Sequence, residues 1–182
     1  MLGIVFSEFM DMVDDTFGPE VLDQLLDIAE NQLDSNGDYT AVGNYDHGEM
    51  LVLVTELSKS SGISVADLVE AYGKHLFGRF HHRYPAFFEE INGTMDFLAG
   101  IENRIHKEVR KLYPNAELPT FEVSRAAEDT MTLVYSSERP FARLAKGLID
   151  GCTEFFKDGV KVAYEDLSDG AMTKARFELS YA

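Results

Sequence analysis

Apolar residues in the first two-thirds of the chain recur every three or four positions, which is the spacing of one helix face. This pattern predicts a short helix at the N-terminus, a second helix after Pro19 and a third over roughly residues 48–60. Gly62 is suited to ending the third helix, and Ser64 with Asp67 is suited to opening a fourth through a capping box.

The pattern changes after Pro114, where apolar and polar residues alternate as they do in strands. PTFEVSR and TMTLVYSS, joined by AAED, predict a hairpin, and VKVAY and KARFELSY predict two further strands. A helix over residues 141–156 is expected between the two pairs. Helices followed by a small antiparallel sheet with one inserted helix make an α+β fold.

Length and composition place the chain among globular proteins. Its 182 residues suit a single domain over positions 1–182, with 45% hydrophobic and 26% charged residues. The net charge of −16 repels phosphate groups, which argues against direct binding to nucleic acid or to an anionic membrane surface. The acids are spread along the predicted helices and are expected to form a solvated surface. An acidic face for a basic partner protein is the alternative.

The lone cysteine, Cys152, excludes an internal disulfide and any zinc site built from several cysteines. The N-terminal stretch MLGIVFSEFMDMVDD lacks the positive leader of a signal peptide, and no apolar run approaches the length of a membrane span. These features favour a cytoplasmic protein.

The segment IENRIHKEVRKLYP, from Ile101 to Pro114, places a histidine on the apolar face of a predicted helix. His106 projects with the apolar residues of this stretch, which are Leu98, Ile101, Ile105, Val109 and Leu112. An inward histidine is either a core residue satisfied by a hydrogen bond or a ligand to something held in the core. The helix alone leaves both interpretations open.

The segment YSSER, from Tyr135 to Arg139, ends a predicted strand. If the strand continues to Arg139, then Tyr135, Ser137 and Arg139 share one face. A phenol, a hydroxyl and a guanidinium that converge would bind a carboxylate or a phosphate. The alternative is a strand end whose arginine pairs with a surface acid.

Together, an inward histidine and a carboxylate-binding trio fit haem, whose iron takes an axial histidine and whose propionates need polar donors. The chain resembles the H-NOX family, the haem–nitric oxide/oxygen binding domains related to the sensor domain of soluble guanylate cyclase, in its stand-alone bacterial form. The resemblance covers essentially the whole chain. It rests on MLGIVFSEF, VEAYGKHLF, IHKEVRKLYPNAELP, YSSER and LAKGLIDG.

The resemblance implies a role for particular residues around haem b (Fe-protoporphyrin IX). It makes His106 the proximal iron ligand and assigns Tyr135, Ser137 and Arg139 to the propionates. Pro119 matches the proline that presses on the macrocycle and distorts it. The residues that align with the wall of the distal pocket carry no hydrogen-bond donor; they are Val5, Phe9, Leu76, Phe80 and Leu144.

The function implied is sensing rather than catalysis. Ferrous haem would bind NO and CO but exclude O₂, and NO would weaken the bond to His106. The signal would pass to a partner, either a histidine kinase or a diguanylate cyclase/phosphodiesterase. A cofactor-free acidic domain for protein–protein interaction is the alternative. An enzyme is disfavoured because the sequence has no nucleophile–base pair or paired carboxylates at a recognisable spacing.

Overall fold

The computed structural model describes residues 1–181 and separates the chain into two compact units. The first unit spans Met1–Tyr72, and the second begins at Gly73. Helices precede an antiparallel sheet into which one helix is inserted, so the predicted α+β fold is confirmed. The single domain over residues 1–182 stays a prediction. Among the helices of residues 1–181, none has both the length and the apolar character needed to cross a bilayer.

The first unit is helical. It contains α1 (Gly3–Phe17), α2 (Pro19–Ala29), a 3₁₀ turn (Glu30–Gln32) and α3 (His47–Ser61). The predicted short N-terminal helix is therefore 15 residues long. Gly18, at a φ of 92°, makes the sharp turn between α1 and α2, and Pro19 fills the first position of α2. The apolar side of α1 is buried through Phe6, Phe9, Met12 and Val13.

Capping residues fix the boundary between α3 and α4 (Val65–Arg83). Gly62 ends α3 with a φ of 73°, where its backbone N–H donates to the carbonyl of Ser58. The backbone N–H of Asp67 donates to the Ser64 hydroxyl at 3.1 Å, and this hydroxyl donates to the Asp67 carboxylate at 2.6 Å. The predicted end of α3 and the predicted start of α4 are thereby confirmed.

The segment that carries His106 is not one regular helix. After a 3₁₀ turn (Pro85–Phe87), the chain forms α5 (Thr94–Ala99), a π-helical segment (Ile101–His106) and α6 (Lys107–Leu112). The prediction that Leu112 faces inward is wrong, because its side chain is 66% exposed. A π turn holds more residues than an α turn, so positions after it are rotated away from the face that regular spacing predicts.

The sheet contains β1 (Thr120–Ala127), β2 (Thr130–Ser137), β3 (Val160–Asp166) and β4 (Thr173–Tyr181). All neighbours are antiparallel, and their order is β1-β2-β4-β3. The predicted hairpin of β1 and β2 is confirmed. However, β2 ends at Ser137, so the strand does not continue to Arg139, as one interpretation of YSSER required. The chain turns there because the backbone N–H of Arg139 donates to the Ser137 hydroxyl at 3.0 Å.

Helix α7 (Ala142–Phe156) shares one apolar core with the sheet, which includes Leu133, Phe177 and Ile149. In the second unit α7 also approaches α4 closely. A Cβ added to Gly73 would lie 2.4 Å from the Leu144 carbonyl oxygen, well inside van der Waals contact. Glycine at position 73 is therefore what permits this approach.

Candidate functional site

His106 ends the π-helical segment and is buried, with 8% of its surface exposed. Its Nδ1 lies 2.9 Å from Oε1 of Glu102, four residues earlier in the chain. The ring of Phe121 in β1 lies beside the imidazole, with 5.9 Å between the ring centroids. Among residues 1–181, no group forms a hydrogen bond with the opposite nitrogen, Nε2. One ring nitrogen of His106 is thus held by the protein, and the other is a nitrogen of the kind that can bind a metal.

The protonation of His106 is set by these surroundings. Burial lowers the pKa of His106, and the charge and hydrogen bond of Glu102 oppose that effect only in part. A neutral imidazole carries one proton, and a carboxylate only accepts hydrogen bonds, so this proton sits on Nδ1. Nε2 then presents the lone pair with which imidazole binds metal ions. The inward position of His106 is confirmed, and its role as iron ligand stays a prediction.

The three polar side chains of YSSER come together although the strand ends before Arg139. Tyr135 is buried, with 3% of its surface exposed. Burial raises the pKa of Tyr135, while a hydrogen bond with Ser137 and the positive charge of Arg139 oppose that rise. Ser137 also accepts from the backbone N–H of Arg139. A phenol, a hydroxyl and a guanidinium therefore form one cluster at the end of β2.

Arg139 already binds a carboxylate. Its guanidinium donates to the backbone carbonyl of Glu117 at 3.2 Å and forms an ion pair with the carboxylate of the same residue. The Arg139 side chain is only 15% exposed, whereas that of Glu117 is 78% exposed. The pairing of the arginine with a surface acid, which the sequence left open, is therefore present. Because Glu117 is held mainly by this contact, another carboxylate could take its place.

Pro119 lies in the loop between α6 and β1 and is half-buried. It precedes Phe121 by two residues, and Phe121 contacts the histidine site in two ways. The backbone N–H of Phe121 donates to Oε1 of Glu102 at 3.0 Å, and its ring lies beside His106. The structure thus places Pro119 next to the segment that supports His106, and its pressure on a macrocycle stays a prediction.

Two of the residues predicted to line the distal pocket lie in the first unit, one turn apart on α1. Phe9 is fully buried, and its ring meets that of Tyr72 edge to face with 5.2 Å between the centroids. The Tyr72 hydroxyl donates to the backbone carbonyl of Val5. A buried phenol therefore stands beside both residues, but its proton is committed to the backbone.

The other three distal residues lie in the second unit. Leu76 and Phe80 are one turn apart on α4, and Leu76 is buried while Phe80 is partly exposed. Leu144 lies in the first turn of α7, where its carbonyl faces Gly73. These side chains are apolar, and their contact with a bound gas stays a prediction.

Three residues with a bearing on the site were not identified from the sequence. Glu102 had a usable signal, because an acid four residues before a histidine lies on the same side of a helix. Glu117 had none, since its pairing with Arg139 joins positions 22 residues apart through a loop. Tyr72 had none either, because its apolar spacing only marked it as a core residue.

The comparison with known proteins decides the family. Residues 2–164 match the haem-NO-binding family. The chain belongs to this family. It is an H-NOX protein, and H-NOX proteins are haem-based gas sensors. No curated protein matches the chain.

Solved H-NOX structures support the assignment. The Fe(II) unliganded H-NOX protein from K. algicida is 36% identical, with 100% of this chain and 97% of that chain covered and a TM-score of 0.91. The IWP-051-bound H-NOX from Shewanella woodyi in the Fe(II)CO state is 41% identical, with 100% and 95% covered and a TM-score of 0.84. An S. oneidensis H-NOX in the Fe(II)NO state is 24% identical over 99% of both chains, with a TM-score of 0.85, and shows the shared fold alone. The predicted H-NOX fold is confirmed.

Proposed function

We propose that this H-NOX protein binds haem b through His106 and senses NO. The observation that carries the proposal is the state of that imidazole: it is buried, Nδ1 is held by Glu102, and Nε2 is left with its lone pair. An axial histidine of haem needs this arrangement, in which one nitrogen binds iron and the other is oriented by a hydrogen bond. Haem, when bound, supplies an iron that takes up diatomic gases.

The residues proposed to hold the propionates are Tyr135, Ser137 and Arg139. Their arrangement supports the proposal because Arg139 binds a carboxylate, that of the exposed Glu117. A propionate that replaced Glu117 would gain the same guanidinium with the two hydroxyl groups close by. Pro119, beside the segment that supports His106, is proposed to press on the macrocycle.

Selection of NO over O₂ is proposed from the absence of a donor among the assigned distal residues. The side chain of Leu144 and the side chains of Leu76 and Phe80 carry no polar hydrogen. Tyr72, beside Val5 and Phe9 in the first unit, donates its hydroxyl proton to the Val5 carbonyl.

O₂ bound to haem would carry negative charge and would gain more than NO from a hydrogen bond, which is worth about 1.5–3 kcal/mol to a charged group. A hydrogen bond of this strength corresponds to an increase of about 10- to 100-fold in affinity for O₂. The Fe(II)CO state of the S. woodyi protein, which is 41% identical to this chain, supports CO as a ligand here.

Titration with hemin tests the haem part of this proposal against a cofactor-free interaction domain. We expect stoichiometric uptake, with a Soret band in the absorption spectrum and a red protein after gel filtration. A protein that stays colourless after incubation with excess hemin would refute haem binding and leave the interaction domain as the function.

The downstream step is proposed to be control of a partner in the cytoplasm, a histidine kinase or a diguanylate cyclase/phosphodiesterase. Such signalling requires that NO shift an equilibrium between two states of the protein. The net charge of −16 favours a protein partner over nucleic acid or an anionic membrane. Co-purification with the product of an adjacent gene, and an activity assay of that product with and without NO, tests this step. Activity that NO leaves unchanged in the complex would contradict it.

A further inference from the structure

One carboxylate joins His106 to the sheet. Oε1 of Glu102 receives the Nδ1–H of His106 at 2.9 Å and the backbone N–H of Phe121 at 3.0 Å. We propose that Glu102 is a positioning residue that orients His106 and sets how strongly it binds the haem iron. The inference rests on the proposed function, because the strength of this bond matters only if His106 is the axial ligand.

Glu102 is fixed from three parts of the second unit. The residue itself belongs to the π-helical segment, Phe121 belongs to β1, and Arg110 of α6 approaches the other carboxylate oxygen, Oε2, at 3.5 Å. Its side chain is 27% exposed, so these contacts compete with limited solvent. The carboxylate is held in place by groups other than the histidine, and it can therefore dictate where the imidazole ring lies.

The hydrogen bond also selects the tautomer. A carboxylate accepts at Nδ1, so the proton is kept on that nitrogen and the lone pair on Nε2. The ring of Phe121 lies beside the imidazole, with 5.9 Å between the ring centroids. Loss of the carboxylate would leave the neutral ring free to carry its proton on either nitrogen, and part of the population could not bind a metal through Nε2.

The charge of the Glu102 carboxylate affects how basic the His106 imidazole is, as well as how the ring is oriented. Partial transfer of the Nδ1 proton toward a carboxylate raises the basicity of Nε2 and strengthens its bond to a metal. In a sensor in which NO acts by weakening that bond, a stronger bond resists release. Glu102 would thus determine what share of the molecules loses the bond between His106 and the iron when NO binds.

The test compares Glu102→Gln and Glu102→Leu with the wild-type protein, all loaded with haem. Glutamine keeps the shape and an acceptor oxygen but loses the charge, whereas leucine removes the acceptor. Glu108→Gln is the matched control, because Glu108 lies in α6 and pairs with the exposed Lys111. Thermal denaturation confirms folding of each variant, and Glu102→Gln decides the test if Glu102→Leu does not fold.

The resonance Raman spectrum of the ferrous protein reports the iron–histidine stretch. We expect it at lower frequency in Glu102→Gln, lower and broader in Glu102→Leu, and unchanged in Glu108→Gln. Haem affinity should fall by about 10- to 100-fold in Glu102→Leu. After NO addition, both Glu102 variants should lose His106 from the iron in a larger share of molecules than the wild type does. In the diamagnetic ferrous CO form the proton would stay on Nδ1 in every variant, and ¹⁵N NMR should show this Nδ1–H of His106 exchanging with water faster in Glu102→Leu than in the wild type.

Three outcomes separate this inference from the function it rests on. Failure of the wild-type protein to take up haem would overturn the proposed function, and the role of Glu102 with it. Haem uptake with an iron–histidine stretch that is the same in wild type, Glu102→Gln and Glu102→Leu would overturn only the role of Glu102. A fall in thermal stability without a change in the stretch would show that Glu102 is a structural residue and would likewise overturn the inference.

Discussion

Replacement of Arg139 by alanine should weaken haem retention far more than replacement of Ser137 does. Both residues belong to the cluster at the end of β2, but only Arg139 carries a charge. Its side chain is 15% exposed and already binds the Glu117 carboxylate, so it is shielded enough from water for a charged hydrogen bond to be strong.

The size of the effect is set by the charge. A hydrogen bond to a charged group contributes about 1.5–3 kcal/mol, whereas a bond between neutral groups contributes about 0.5–1.5 kcal/mol. Haem loss should therefore accelerate about 10- to 100-fold in Arg139→Ala and about 2- to 10-fold in Ser137→Ala. Glu117→Gln should leave haem loss unchanged or slow it, because the Glu117 carboxylate, whose side chain is 78% exposed, competes with a propionate for Arg139.

Transfer of haem to an excess of a high-affinity apoprotein measures these rates, since the Soret band shifts as haem changes hosts. Arg125→Ala is the control, because Arg125 pairs with the exposed Asp96 outside the cluster. Equal and negligible effects of Arg139→Ala and Ser137→Ala would show that YSSER is only a strand end. An equal acceleration in Arg125→Ala would show that surface charge, not the cluster, retains haem.

Three further results are expected. His106→Gly should lose tight haem binding and regain it with added imidazole. Haem content and spectra identical to those of the wild type would contradict the assignment of His106 as the iron ligand. In thermal denaturation, Gly73→Ala should lower the free energy of unfolding by about 1–3 kcal/mol because the added Cβ meets the Leu144 carbonyl. Gly78→Ala should raise the free energy of unfolding by about 0.5–1 kcal/mol because Gly78 has open space around it. Equal effects of the two substitutions would argue against the close helix contact. Cys152 is fully buried and its pKa is raised by burial, so iodoacetamide should label it only after unfolding; rapid labelling of the folded protein would contradict this placement.

The helices and strands were largely predictable because each has a local signal. Apolar spacing marked the helices, alternation marked the strands, and the capping pair of Ser64 and Asp67 marked the start of α4. The π-helical segment was not predictable, because an enlarged turn leaves the apolar spacing before it unchanged and only rotates the residues on its C-terminal side. This is why Leu112 was assigned to the wrong face.

Most residues of the candidate site were identified from the sequence, but the hydrogen bonds and ion pairs between them were not. His106 has the inward position that its motif indicated, and the side chains of YSSER come together although the strand ends at Ser137. The contacts that give them chemical character join distant parts of the chain, as when Glu102 receives the backbone N–H of Phe121 and Arg139 binds Glu117. Such pairs depend on how loops return to the sheet, and no spacing rule within one element reports them.

The absorption spectrum of the ferrous haem-loaded protein, recorded first in air and then after addition of NO, tests the central claim most directly. With no donor on Leu144 and the Tyr72 hydroxyl committed to the Val5 carbonyl, the protein should form no stable O₂ complex in air, and NO should then shift the Soret band at once. A persistent O₂ spectrum in air, or no response to NO, would contradict the account.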